Sequence, residues 1–401
     1  MSLLALPSTY HRLTGIRAEV DLGALRHNVS VLRERAGAAE LMGVVKADAY
    51  GHGAVAVARV LVEEGVRRLA VANVPEGIEL REAGIAAPIL VLGAPLPEYL
   101  PAYSRHGLQV TVTSPTVATD VAEAARLAGP LTVHVKVDSG MHRVGVGPAD
   151  AFDVVRTLQD APGVEVEGIM THFANVDRTF TMQQLGRFDA VLAALGDYTP
   201  PRVHVSNSGT VLHVPEATAG RTDARVGGAL YGLVLDRSAS ASVEALRLRP
   251  VMRLVSRVVH VQELAAGETV SYGRTWTAAS PALIATIAAG YGDGLPRGLP
   301  STGTVGIGGR VYPVAGRVCM DMMMLDLGPP DGAGAGVAVG DEAVLFGPGG
   351  PTAITAAGDT QSIAYALTSG LTARVPRVYV GASNGPRIVA DTDEAEAEAG
   401  R

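Results

Sequence analysis

Short apolar runs recur along residues 41–232 with a regular spacing. They are "LMGVV" (41–45), "RLAVA" (68–72), "PILVLG" (88–93), "LQVTV" (108–112), "LTVHVKV" (131–137), "VEGIMTHF" (166–173), "RVHVSN" (202–207) and "ARVGGALYG" (224–232). The stretches around and between them place apolar residues at helical spacing, as Leu25, Val29 and Leu32 do within 23–36. Further helices are predicted over 54–64, 76–83, 115–128, 149–160 and 181–195. Strands alternating with helices predict parallel pairing through right-handed crossovers. Eight such units point to a closed (β/α)8 barrel, whose active site lies at the C-terminal strand ends. A doubly wound open sheet is the alternative; the first strand has no G-x-G-x-x-G after it, which lowers that option.

From about residue 250 the texture changes. Segments such as "VMRLVSRVVHVQEL", "ALIATIAAG" and "GTVGIGGRVYPVAGRV" alternate or run apolar, with glycine turns between them. They predict a second, mainly β domain. The expected division is a barrel over 1–245, a β-rich domain over 246–385, and an acidic tail over 386–401 ending in "DTDEAEAEAGR", predicted to be disordered.

Composition narrows the partners. The net charge of −7 leaves no basic footprint for nucleic acid. A single cysteine, Cys319, excludes an internal disulfide framework and fits a reducing compartment. The N-terminus lacks a cationic start, and no apolar run is long enough to span a membrane, so a cytoplasmic protein is expected. None of the ten histidines forms an H-x-H pair, which argues against a metal-dependent hydrolase; no metal is expected.

The basic residues are more informative. Of 33 Lys plus Arg, only Lys46 and Lys136 are lysines. Arginine stays protonated, whereas a buried lysine can lose its proton and act as nucleophile or base. Both lysines fall at strand ends. Lys46 closes the first strand in "VVKADAYGHG" (44–53). In "LTVHVKVD", Thr132, His134, Lys136 and Asp138 share one face, which on a barrel strand points inward. An uncompensated ammonium there is costly, so Lys136 must be paired, neutral or modified. Arg143, His172, Asn207, Ser208, Arg225 and the Gly227–Gly228 pair also fall at or just beyond strand ends. Glycine amides after the last barrel strand commonly bind phosphate, with Ser208 and Tyr50 offering hydroxyls. A strand-end lysine beside a phosphate site suggests pyridoxal phosphate attached through that amine.

At this point "VVKADAYGHG" resembles the cofactor-attachment motif of bacterial alanine racemases, which are fold type III pyridoxal phosphate enzymes. "VKVDSGMHRVG" (135–145), "THFANVD" (171–177), "SNSG" (206–209), "ARVGGALYG" (224–232), "VSYGRTW" (270–276), "GYGDGLPR" (290–297), "GRVCMD" (316–321) and "IAYALTSGLTARVPRVY" (363–379) resemble its further blocks, in order. The resemblance implies an isomerase that interconverts L- and D-alanine, supplies D-alanine for peptidoglycan, and works as a head-to-tail homodimer with shared active sites. It implies that Lys46 carries pyridoxal 5'-phosphate and is the base for D-alanine. Tyr272, lent by the partner subunit, is implied to be the base for L-alanine. Racemisation takes a Cα proton from one face and returns one to the other, so a base is needed on each side. A tyrosine is a poor base at its free pKa near 10. The resemblance sets His172 beside it and Arg225 beyond, with Arg225 also meeting the pyridine nitrogen.

By the same resemblance Arg143 clamps the substrate carboxylate, helped by the N–H of Met320 from the partner. Lys136 is expected to carry a carbamate that pairs with Arg143. The phosphate is expected to contact Tyr50, Ser208, Gly227, Gly228 and Tyr365. Tyr291, with Arg297 and Arg317 farther out, is expected at the substrate entrance, and Asp321 in support. Gly228 departs from the bulkier apolar residue expected in the family. Rival readings are a broader amino-acid racemase, a barrel-type pyridoxal phosphate decarboxylase and a non-catalytic pyridoxal phosphate carrier. "VSYGRTW" argues against the decarboxylase, because a second base serves only racemisation; the second domain argues against the carrier.

Overall fold

The computed structural model describes residues 15–233, 246–297, 303–358 and 362–381. The N-terminal residues 1–14, the expected junction at 245/246 on its N-terminal side and the acidic tail 386–401 lie outside the described residues. Eight parallel strands close into a barrel: β2 (Glu40–Val44), β3 (Arg68–Val71), β4 (Ile89–Val91), β5 (Leu108–Val112), β6 (Leu131–Lys136), β7 (Val164–Met170), β8 (Arg202–His204) and β9 (Asp223–Val226). Closure is made by β9 against β2, with Glu40 opposite Asp223 and Gly43 opposite Val226. The barrel expected from the apolar rhythm is therefore the one formed.

Several helices outside the barrel begin where a short polar side chain caps them. Asn73 accepts from Glu76 N, Ser114 from Val117 N and Asp177 from Phe180 N. Outward-facing strand residues such as Val133, Val135 and Ile169 are fully buried against those helices. Each such side chain contributes about 1.5–3 kcal/mol. Packing is close enough that a Cβ on Gly43 would collide with Leu61.

The first strand of the chain, β1 (Arg17–Asp21), does not join the barrel. It pairs antiparallel with β10 (Met252–Leu264) and parallel with β18 (Arg377–Val380). The second sheet thus contains a strand from the opposite end of the chain. Besides β1, β10 and β18 it contains β13 (Ala282–Ile287), β14 (Thr304–Ile307), β15 (Arg310–Pro313), β16 (Met323–Gly328) and β17 (Glu342–Phe346). A separate small hairpin joins β11 (Thr269–Val270) to β12 (Trp276–Thr277). Two short helices, Ala353–Gly358 and Ala364–Ser369, interrupt the β texture expected there. The second packs on the turn that follows β2: Gly51 lies so close to the Thr368 carbonyl that a Cβ would overlap it.

Candidate active site

The barrel interior is layered. At the N-terminal strand ends Arg68 binds Glu40 (3.0 Å), Glu167 (3.3 Å) and the fully buried Asp223 (3.6 Å). Arg202 reaches Glu40 (3.2 Å) and Asp223 (3.6 Å). Above them Met42, Val44, Ala70, Leu90 and Met170 form an apolar layer on one side. On the other side His134 and His204 meet edge to face, with Nδ1 of His134 2.8 Å from Nε2 of His204. Gly168 makes room for this pair, since a Cβ there would strike the His134 ring.

Above the histidines lies Arg225, and its hydrogen bonds fix the tautomers around it. NH1 donates to His204 Nδ1 (2.9 Å) and to the His204 carbonyl (2.9 Å). NH2 donates to the carbonyls of Thr171 (2.6 Å) and Val205 (3.0 Å) and approaches His172 Nδ1 at 3.3 Å. A nitrogen that accepts from guanidinium carries no proton, so His204 and His172 are protonated on Nε2. Burial, and then the positive charge of Arg225, hold both imidazoles neutral, well below the usual histidine range. Burial lowers Arg225 itself to about 10, which leaves it a cation at neutral pH. Among the described residues its Nε–H has no acceptor.

This arrangement forms the floor of a cavity of about 680 Å³ at the C-terminal end of the barrel. Lys46, Tyr50, Lys136, Arg143 and His172 line it, together with Ser208, Gly227, Gly228 and Tyr365. No carboxylate is among its lining residues. The Lys46 amine is lowered by burial and by Arg143, against the opposing pull of Glu76. Lys136 is lowered to about 8 by burial, Arg143 and Arg225. A cavity this positive is built for an anion.

One wall is a hydroxyl and amide cradle. Ser208 Oγ accepts from Gly227 N (2.9 Å) and Ala229 N (3.2 Å), so its own proton is free to point into the cavity. Gly228 opens a 3-10 turn, and its N–H has no partner within that turn. A Cβ on Gly227 would collide with the Tyr50 hydroxyl, and one on Gly228 with the Tyr365 ring. The small residue at 228 therefore lets Tyr365 lie directly on the cradle. The rings of Tyr50 and Tyr365 meet edge to face at 5.3 Å. Burial pushes Tyr50 up to about 12 and Tyr365 higher still, so both phenols remain donors.

The turn carrying Tyr50 has an unusual backbone. Ala47, Asp48, Ala49 and Tyr50 all have φ between 51° and 56°, a left-handed helical turn without a glycine. Such a turn costs about 1–2 kcal/mol per residue. Hydrogen bonds offset the strain. Glu76 accepts from Ala47 N (2.9 Å) and Ala72 N (2.6 Å), and Asp48 Oδ1 accepts from Ala54 N (2.7 Å). His52 Nδ1–H donates to the Ala49 and Tyr50 carbonyls (both 3.0 Å), and Arg377 Nε donates to the Gly51 carbonyl (3.0 Å). The turn swings Tyr50 back over the strand end beside Lys46. Glu76 and His52 are supporting residues that strand and helix periodicity did not reveal.

Across from the cradle, Asp138 organises the loop holding Arg143. Its Oδ1 accepts from Gly140 N and His142 N, both at 3.0 Å. Tyr272, Tyr291, Met320 and Asp321 do not line this cavity. Tyr272 sits at the tip of the β11–β12 hairpin, 70% exposed, and Met320 is 52% exposed. Arg374 joins Asp321 (2.7 Å) to Asp293 (3.3 Å). Among the described residues no cluster of potential metal ligands is present, and no helix is long and apolar enough to cross a membrane.

An (β/α)8 barrel with a lysine and an anion cradle at its C-terminal mouth, joined to a mainly β domain, defines a two-domain class of barrel enzymes. Family models described as the alanine racemase N-terminal and C-terminal domains match residues 20–234 and 251–379. The chain belongs to the alanine racemase family. The alanine racemase of Chlorobaculum tepidum is 40% identical over 373 residues, spanning 90% of this chain and 95% of its own. That of Symbiobacterium thermophilum is 42% identical over 381 residues, spanning 92% and 99%. The solved alanine racemase of Clostridium difficile 630 superposes with a TM-score of 0.85 at 35% identity, covering 93% of this chain and 97% of that one.

Proposed function

We infer that this chain is a pyridoxal-phosphate-dependent racemase of L- and D-alanine, an isomerase. The observation that carries the reading is the cavity containing Lys46, Lys136, Arg143 and Arg225 and no carboxylate. Such a site is electrostatically incomplete until anions enter it, and a phosphate and a substrate carboxylate supply them. The cradle fits a phosphate group: Tyr50, Ser208 and Tyr365 offer hydroxyls, and Gly227 and Gly228 leave room for close backbone approach. The lone Nε–H of Arg225 suits a ring nitrogen that accepts a hydrogen bond. Lys46 would hold pyridoxal phosphate through its amine, and the chemistry the group would supply there is an electron sink that acidifies the substrate Cα proton.

The chain's own groups do the rest. Arg143 binds the substrate carboxylate, together with the Met320 N–H of the partner subunit. Lys46, with its amine lowered by burial, takes or returns the proton on one face. Tyr272 of the partner subunit serves the other face. His172 accepts from Arg225 on Nδ1 and turns its Nε2–H toward that phenol, where it favours the phenolate. The neutral fraction of Lys136 attacks carbon dioxide, forming an N–C bond and releasing a proton; the resulting carbamate faces Arg143. Tyr291, Asp321, Arg297 and Arg317 line or brace the substrate entrance. The working unit is a homodimer in the cytoplasm, supplying D-alanine for peptidoglycan. Protein loaded with pyridoxal phosphate should turn yellow, be trapped at Lys46 by borohydride, and abolish the circular dichroism of L-alanine faster than that of L-serine or L-lysine. Colourless, inert protein would refute the reading; equal rates on all three would favour a broad-specificity racemase.

A further inference from the structure

Ser271, immediately before Tyr272, has φ 68° and ψ 179°. This region of backbone space belongs almost wholly to glycine, and strain of this kind gathers where a structure must hold a functional group. Two residues on, Gly273 takes φ 74° without a side chain to object. At 271 a glycine would also be unstrained, so the serine must contribute through its hydroxyl.

That hydroxyl is engaged. Ser271 Oγ–H donates to the Arg317 carbonyl at 2.6 Å. Cys319 Sγ lies 3.7 Å from the same Oγ and 3.8 Å from the same carbonyl. Gly316 fits beneath, where a Cβ would press on the Ser271 side chain and the Val270 carbonyl. The hairpin tip is thereby clipped to segment 316–319, which leads directly into Met320. The clip extends further: Tyr291 N donates to the Cys319 carbonyl (3.0 Å) and Gly292 N to the Met320 carbonyl (2.8 Å). Tyr272, Tyr291 and Met320, far apart in sequence, belong to one hydrogen-bonded unit, and all three side chains are exposed on their own subunit.

We propose that Ser271 is a positioning residue whose strained backbone and Oγ–H···O=C bond to Arg317 fix the Tyr272 phenol relative to the Met320 N–H, so that base and carboxylate anchor reach the partner's cavity as one rigid unit. The proposal rests on the racemase reading above. Proton transfer needs the base within hydrogen-bond reach, and a misplacement of about 1 Å costs on the order of 100-fold.

The test compares holoenzyme carrying Ser271→Ala or Ser271→Gly with the parent. Both variants should lose about 10- to 100-fold in kcat/KM. The loss must be equal for the two enantiomers, because their equilibrium constant is fixed by symmetry. The primary isotope effect with α-deuterated L-alanine should rise, while that with α-deuterated D-alanine should not, since only the Tyr272 face has lost its alignment. The apo form of Ser271→Gly should unfold at the parent's midpoint or above it, which separates misalignment from misfolding. Variants with parental kcat/KM, or isotope effects that change equally for both enantiomers, would overturn the proposal. Tyr272→Phe separates the two levels of the reading. If it racemises normally, Tyr272 is no base and the reading fails at that point. If it is inactive while the Ser271 variants match the parent, the role of Ser271 alone falls.

Discussion

At the N-terminal end of the barrel Arg68 and Arg202 sit among Glu40, Glu167 and Asp223, every charge within reach of an opposite one. At the C-terminal end Lys46, Lys136, Arg143 and Arg225 share a cavity with no carboxylate, and among the described residues none of the four forms an ion pair. The lower layer is finished once the chain has folded. The upper layer keeps its desolvation cost and its mutual repulsion until a ligand arrives. Paired charge is therefore structural here, and unpaired charge marks the site.

The contrast breaks first, and most visibly, at Lys46. Lys46→Ala should lower alanine racemisation at least about 10³-fold in protein reconstituted with pyridoxal phosphate. Its apo form should unfold no earlier than the parent, because the change removes an unpaired cation. A clear loss of apo stability would mean that the upper charges are structural after all. The opposite pattern is expected below. Among the described residues, Arg68→Met leaves Glu167 without a cation and leaves the fully buried Asp223 to Arg202 alone, and should cost about 3–5 kcal/mol by denaturant titration. The rate per folded molecule should stay the same. A soluble, stable Arg68→Met would show that the lower layer does not depend on its pairing.

A smaller effect comes from the histidine layer between the two ends. Unfolded histidine takes up a proton near pH 6.5. Burial holds native His134 of that layer at about 3, and His52, in the turn after β2, at about 4. The unfolded state thus binds more protons below the usual histidine pKa. The stability that these neutral rings contribute is present above that pH and lost as pH falls toward the native values. Replacing His134 with Gln should flatten the dependence of unfolding free energy on pH between 4 and 6 by about one proton. An unchanged slope would remove His134 from the account.

Much of this was legible in the sequence. The eight barrel strands announced themselves because each is short, apolar and followed by helical spacing, and Lys46 and Lys136 stood out against a chain otherwise confined to arginine. Strand β1 was not legible as part of the second sheet, because "RAEVD" alternates the same way whichever sheet receives it. The left-handed turn at 47–50 gave no signal: "ADAY" contains no glycine, and local propensity favours a right-handed turn. Its geometry is imposed by Glu76, His52 and Arg377, which lie from two to more than three hundred positions away. His204 read only as a polar residue in a strand, and its contact with Arg225 depends on closure of the barrel. The part proposed for Tyr272 came from resemblance, since no periodicity tells which cavity a hairpin tip would serve.

The most direct measurement mixes two variants that should each be inactive, Lys46→Ala and Tyr272→Phe, under conditions that let subunits exchange. If Lys46 of one chain and Tyr272 of the other complete a single site, half the dimers in an equal mixture are hybrids with one intact site each. Activity should then return to about a quarter of the parent value. A mixture that exchanges subunits and still leaves L-alanine untouched would contradict the account.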